Sequence, residues 1–374
     1  MDNAEYFLQQ KLNDRKEKNR LRELTHTPQS IDFCSNDYLG FARSKELHIR
    51  IRKKANTLSY QMNGATGSRL LSGNHQYTEE TERFIADFHS SPAALLFNSG
   101  YDANVGLLSS IPQRGDTIIT DELIHASLID GARLSHAQRF RFKHNDTEDL
   151  EQKLKNAKGI CYVVVESIYS MDGDQAPLSK ICELCSTYNA NLIVDEAHAI
   201  GVFGEQGRGL IHQLGLQHQI FARVITYGKA LGVHGAAILG STTLRSYLIN
   251  FARSFIYTTA SPLHQVIAIR CAYELLAEKK QQIQIADRIN FYNELIEFLC
   301  LRRIHSTSCI QTILFTNDLA TKEAAYYLQN KGFEVRAILS PTVPEGEERL
   351  RICLHLFNTK KEISSLIHHL KDIT

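Results

Sequence analysis

The order of apolar runs in this chain predicts an α/β fold, a mostly parallel central sheet wrapped by helices, with a smaller α+β domain at the carboxyl end. Three observations carry that expectation. Short, nearly unbroken apolar runs recur between about residues 60 and 240, several ending in a polar or acidic residue, as strands buried on both faces do. Segments of helical periodicity separate several of these runs, so they read as parallel strands joined by crossovers. Beyond about residue 260 the pattern changes to two long helices followed by three further strand candidates.

Taken in order, residues 4–24 set Ala4, Phe7, Leu8, Leu12, Leu21 and Leu24 among many charges, which predicts a solvated amphipathic helix lying on the body of the protein or on a partner. Ile31 to Tyr38 reads as a strand with an Asn-Asp turn. The large-sheet strands are expected at Ala93–Asn98, Thr117–Thr120, Cys161–Glu166, Leu192–Asp195, Val224–Tyr227 and Ala236–Leu239, with helices near 78–88, 103–110, 125–135, 147–156 and 178–188. Helices are expected at Ser261–Lys279 and Gln282–Cys300. Strands near Thr312–Phe315, Glu334–Ile338 and Leu350–Leu354 and a helix at Lys360–Lys371 complete the chain. This divides it into an amino-terminal segment (1–45), a large domain (46–265) and a small domain with a bridging helix (266–374).

Composition removes several classes of function. With 42 basic and 41 acidic residues the charge is balanced, which argues against a nucleic-acid groove or a polybasic membrane surface. No apolar run nears the roughly 20 residues that span a bilayer. The amino terminus is too polar for a signal peptide, and Asp2, Glu5, Asp14 and Glu17 argue against a transit peptide. Scattered cysteines suit a reducing cytoplasm. Cys182 and Cys185 form a C-x-x-C, but within a segment that reads as a helix facing the sheet, and the dispersed histidines do not hold metal-ligand spacing.

The chemistry is concentrated at strand ends. Lys229 follows the run Arg223-Val224-Ile225 and is crowded by small residues; poor solvation there favours a neutral amine, which Schiff-base chemistry needs. A strand-end lysine that reaches solvent is the ordinary alternative. Asp195 closes a second run, with His198 three residues on, and Glu166 closes a third. Open α/β sheets bind ligands at the carboxyl ends of their strands, so these groups are expected at one rim. Pyridoxal phosphate calls for such a set, a lysine to hold it and a carboxylate to keep its ring nitrogen protonated. For Asp195 a helix-capping role is the competing reading.

Together the motifs resemble the α-oxoamine synthases, fold-type I enzymes that use pyridoxal phosphate. The resemblance runs through Ser35-Asn36-Asp37-Tyr38-Leu39-Gly40, Gly64 to Arg69 and Ser72 to Asn74, Ser99-Gly100-Tyr101-Asp102-Ala103-Asn104, and His125-Ala126-Ser127. It continues through Ser170 to Asp174, Asp195 to His198, Gly204 to Gly209, Thr226 to Gly232, Pro341 to Pro344 and Arg349 to Arg351.

The resemblance implies a seven-stranded type of central sheet and a set of roles. Lys229 would hold the cofactor and act as base, Asp195 would pair with its ring nitrogen, His198 would bond its phenolic oxygen, and His125 would stack on its ring. Ser99, Gly100 and Tyr101 open a helix after an apolar run, a suitable anion site, although Ser-Gly there also suits a plain turn. Thr226, Glu166 and Ser170 would line the pocket, and Thr258 and Thr259 would reach the phosphate of a neighbouring subunit in a homodimer. Arg351 would grip an amino-acid carboxylate through its planar fork. Arg22, Asn36 and Thr342 match positions near the substrate, a surface salt bridge being the alternative for Arg22.

The likeness is strongest to the biotin-pathway branch. It implies a cytoplasmic acyltransferase condensing L-alanine with a pimeloyl thioester of coenzyme A or an acyl-carrier protein. A sibling activity with glycine or serine and another acyl thioester is the alternative. The chain departs from the family at Leu339, where arginine is usual, and at His234 and Ala199, where serine and glycine are common.

Overall fold

In a computed structural model that describes residues 3–24, 30–58 and 63–373, the apolar runs pair as strands because each buries both faces. Asp2, counted above among the acidic residues of the amino terminus, lies outside the described residues. The strands are β1 (Ile31–Asp32), β2 (Ala93–Phe97), β3 (Thr117–Asp121), β4 (Gln138–Phe142), β5 (Cys161–Glu166), β6 (Asn191–Asp195), β7 (Ala222–Thr226) and β8 (Ala236–Gly240). Four more follow: β9 (Ile310–Leu314), β10 (Phe333–Glu334), β11 (Arg336–Ile338) and β12 (Arg349–Cys353). The large sheet has seven strands in the order β2-β8-β7-β6-β5-β3-β4. All are parallel except β8, which runs antiparallel to both its neighbours.

Side-chain alternation divides this sheet between two apolar clusters. Ala94, Leu96, Ile225, Ala237 and Leu239 face one side, where they join the bridging helix Leu263–Glu278 and the core of the small sheet. Leu95, Phe97, Val224, Ala236 and Ile238 face the other, against helices Gly100–Ser110, Ala126–Leu134 and Leu178–Thr187. Cys182 and Cys185 are buried on the last of these helices with free thiols. The small sheet is antiparallel, β11-β12-β9, and β1 pairs in parallel with β10. Among the described residues no helix is long and apolar enough to cross a membrane.

Several elements differ from the sequence expectation. The first helix ends at Glu17 rather than near residue 24, because Asn19 turns the backbone left-handed (φ 52°) and Arg20 pairs with Asp318 at 2.6 Å. No residue of that helix is buried. The strand expected over Ile31 to Tyr38 stops after two residues: Asp32 Oδ1 accepts hydrogen bonds from the amides of Cys34 and Ser35 and bends the chain into a turn. Glu334–Ile338 is split at Val335, its halves pairing with different strands. Strand β4 was unforeseen because it is an edge strand, with Gln138, Arg139, Phe140 and Arg141 exposed and only Phe142 buried. Helices Lys45–Thr57, Thr242–Phe251 and Asp318–Asn330 were also unforeseen.

A buried ion pair braces the sheet beneath its functional rim. Arg223 Nε donates to Glu196 Oε2 at 2.9 Å, and Glu196 Oε1 accepts from the amide of Ile211, both side chains being almost wholly buried. Removing one partner strands a charge in low dielectric, so Arg223→Met is expected to lose about 3–5 kcal/mol of stability, whereas an apolar pair at both positions comes close to neutral. Chemical denaturation of the two variants checks this; equal losses would refute it.

Candidate active site

Adjacent strands bring the polar residues to one rim. Glu166 at the end of β5 is in register with Asp195 at the end of β6, and Asp195 is in register with Val224 on β7, two residues before Thr226. Lys229 follows on the loop that reverses into β8. That loop is tied by Tyr227 N to Gly235 O (2.9 Å) and by Val233 N to Tyr227 O (3.0 Å). Gly232 takes a left-handed conformation (φ 62°), and a Cβ there would lie 2.1 Å from the amide nitrogen of Ala42, so only glycine lets the lysine loop seat on the amino-terminal loop.

The rim encloses a cavity of about 280 Å³. Its walls include Asn36, Ser99, Gly100, Tyr101, His125, Glu166, Asp195, His198, Thr226 and Lys229, so most of the residues singled out from sequence meet here. Asn104, Ser127, Ala197, Gly228, His234 and Gly235 complete it. Arg351 on β12 abuts it: Nη2 donates to Asn36 Oδ1 at 3.0 Å, and Nε donates to the carbonyl of Ser170 at 2.7 Å.

Ser170, Arg22, Thr258, Thr259 and Thr342 are not among the cavity's walls. Thr258 lines a separate small pocket with Arg69 and Gly73, where Asn98 Nδ2 donates to Thr258 Oγ1 (3.0 Å) and to the carbonyl of Thr259 (2.8 Å). Arg22 and Thr342 are exposed and touch one another, Nη2 to Oγ1 at 3.4 Å.

The electrostatics are those of a site with poorly solvated titratable groups. Burial lowers the pKa of the Lys229 amine, opposed by Asp195 and Glu166, and its Nζ donates to Thr226 Oγ1 at 3.3 Å. Burial drives His198 well below the usual imidazole range, with Lys229 and Arg351 adding to the effect. It also lowers His125. Glu166 is pushed well above the carboxylate range by burial first and by Asp195 second.

Asp195 is held by two donors, Asn104 Nδ2 at 2.8 Å and the amide of Ala197 at 2.9 Å. Asn104 Nδ2 also reaches Ser127 Oγ (2.9 Å), which contacts His125 Nδ1 at 2.7 Å. Sequence reasoning missed Asn104 and Ser127 as site residues, although both lie inside motifs it had singled out. Their signal was position: each follows an anion-site or ring-stacking candidate by a helical turn or less.

These residues fit pyridoxal phosphate. The amides at the start of helix Gly100–Ser110 form an anion site, and at Gly100 a Cβ would come 2.6 Å from Thr226 Cγ2, so the backbone there is closely packed. Asp195 and Lys229 face the same cavity. Glu166 Oε1 and Asn104 Oδ1 are buried with no hydrogen-bond partner among the described residues, which leaves polar positions for a bound ring to satisfy.

Beyond the ends of β3 and β4, His144 Nδ1 meets Asp121 Oδ1 at 3.0 Å and Nε2 meets Asp174 Oδ2 at 2.8 Å, with the ring edge-on to Tyr169. Asp172 beside it is ion-paired with Arg349. Burial alone would lower the His144 pKa, but the two carboxylates outweigh it and raise it to about 9. A raised folded-state pKa gives stability that is complete below pH 6.5 and lost as pH rises through 9, up to about 3 kcal/mol. Denaturation midpoints of the native protein and His144→Asn, followed from pH 6 to 10, are expected to converge as pH rises; parallel curves would exclude it.

Comparison with known proteins defines the class. Residues 28–370 match the profile of the family described as aminotransferase class I and II. The chain is 43% identical over 389 residues to the 8-amino-7-oxononanoate synthase of Emericella nidulans, covering 96% of this chain and 93% of the relative. The crystal structure of 8-amino-7-oxononanoate synthase from Francisella tularensis superposes with a TM-score of 0.80 at 29% identity, over 92% of this chain and 97% of that one. Serine palmitoyltransferase of Sphingomonas wittichii shares the fold, with a TM-score of 0.89 at 23% identity over 99% and 97% of the two chains. The chain belongs to the aminotransferase class I and II family and is a pyridoxal-phosphate-dependent enzyme of the α-oxoamine synthase group.

Proposed function

We propose that this enzyme condenses L-alanine with a pimeloyl thioester, of coenzyme A or of an acyl-carrier protein, releasing carbon dioxide and free thiol and giving 8-amino-7-oxononanoate for biotin biosynthesis. One observation carries the reading: a desolvated amine and a buried guanidinium whose acceptors among the described residues are all neutral flank one cavity, in a chain 43% identical to a relative of that name.

Bound pyridoxal phosphate supplies an electron sink for a carbanion at the amino-acid α-carbon. Lys229 would hold it through Nζ, with Asp195 at the ring nitrogen, His125 over the ring, His198 at the phenolic oxygen and Ser99, Gly100 and Tyr101 at the phosphate. Glu166, Ser170 and Thr226 complete the pocket. Thr258 and Thr259 would reach the phosphate of a second copy in a homodimer, and the enzyme would work in the cytoplasm. Residues 46–265 carry the cofactor and 266–374 the carboxylate grip.

The chain's own groups then divide the work. Arg351 binds the alanine carboxylate; among the described residues its acceptors, Ser170 O, Asn36 Oδ1 and Cys353 Sγ, are neutral and leave it without an ion pair. Lys229, its amine made easier to deprotonate by burial, takes the α-proton and later returns one. Arg22, Asn36 and Thr342 flank the approach of the substrate. Positioning the two reactants together supplies the remaining acceleration. Assays of alanine, glycine and serine against several acyl thioesters test the assignment; turnover with glycine or serine but none with alanine would overturn it.

A further inference from the structure

Tyr38 is wholly buried, its ring stacked on His355 with centroids 6.4 Å apart. Its hydroxyl spans from the amino-terminal loop to His198 Nδ1 at 2.7 Å and lies 3.2 Å from Asn36 Oδ1. A phenol has one proton to donate, and two neighbours here can take it. Asn36 Oδ1 already receives a charge-assisted N–H from Arg351 at 3.0 Å. His198 Nδ1 has no other partner among the described residues and lies nearer.

We propose that Tyr38 is a positioning residue: it donates its hydroxyl proton to His198 Nδ1, fixes the imidazole as the Nε2–H tautomer, and so makes His198 a hydrogen-bond donor into the cavity. The groups around the ring work in the same direction. Lys229, Arg351 and His125 disfavour a second proton on the imidazole, as does its burial. Which nitrogen carries the proton is set by the bond the other one makes. Resting on the reading above, that Nε2–H would serve the cofactor's phenolic oxygen. The line Arg351–Asn36–Tyr38–His198 also joins the carboxylate grip on β12 to the cofactor side of the cavity through three consecutive contacts.

Nitrogen-15 NMR of the histidine-labelled protein, with and without added pyridoxal phosphate, reads the tautomer directly and depends on no substrate. His198→Gln identifies the two resonances by difference. The native protein is expected to show an unprotonated, hydrogen-bonded Nδ1 and a protonated Nε2, and Tyr38→Phe is expected to move Nδ1 toward the protonated range as the tautomers mix. A protonated Nδ1 in the native protein, or unchanged resonances in Tyr38→Phe, would overturn the proposal. Should Tyr38→Phe not fold, uniform 3-fluorotyrosine labelling gives an equivalent readout, since a more acidic hydroxyl that donates perturbs an unprotonated Nδ1, whereas one that accepts would perturb a protonated Nδ1. In the loaded enzyme Tyr38→Phe is expected to lower kcat/KM by about three- to tenfold, mainly through kcat. A merely structural tyrosine would lower the melting temperature and leave the tautomer in place. Absence of alanine turnover would remove the substrate assignment without touching the NMR result.

Discussion

Lys229→Ala is expected to reduce turnover by at least about 10⁴-fold while leaving the fold intact, because one side chain is asked both to hold the cofactor and to move the α-proton. The stability cost is small: among the described residues Nζ donates only to Thr226, and the side chain is half-buried at a cavity rather than packed in the core. The visible spectrum of the purified protein separates the two roles. The native enzyme should show a cofactor band that responds to L-alanine, and the variant should lose the band that depends on the lysine while still admitting free pyridoxal phosphate. A variant that keeps both the band and the turnover would place the chemistry elsewhere.

Asp195→Asn comes next, with turnover expected to fall by about 10³-fold. The amide is nearly the same shape, but it keeps only one of the two acceptors that Asn104 and the Ala197 amide use, and the negative charge is lost. A unit charge facing a protonated ring nitrogen at short range is worth about 4 kcal/mol at an effective dielectric of 20, which is the source of the factor. Added pyridoxal phosphate should still bind, more weakly. Full activity in Asp195→Asn would show that the carboxylate only caps the turn after β6.

How much of this was legible beforehand follows from what kind of physics each feature obeys. Strands β2, β3, β5, β6, β7 and β8 are apolar on both faces and bounded by polar residues, so their places could be read within a residue or two. The edge strand β4, Gln138–Phe142, is mostly solvated and carries no such run, and it escaped notice. The amino-terminal helix was drawn too long because its periodicity continues past Asn19, whereas a left-handed residue and the Arg20–Asp318 contact end it. At the site, strand-end residues such as Glu166, Asp195 and Lys229 were visible because sheet topology alone sends them to one rim. The network Asp195–Asn104–Ser127–His125 was not, since it depends on how two helices face each other over that rim. The split at Val335 belongs to the same class: pairing partners decide it, not local preference.

The contact between Asn36 and Arg351 joins positions 315 residues apart, and closing so long a loop must precede the local reward. That contact therefore forms only after β12 has docked on the amino-terminal loop. Completion of the carboxylate side of the cavity is accordingly a slow step of folding, since no local pairing can bring it about.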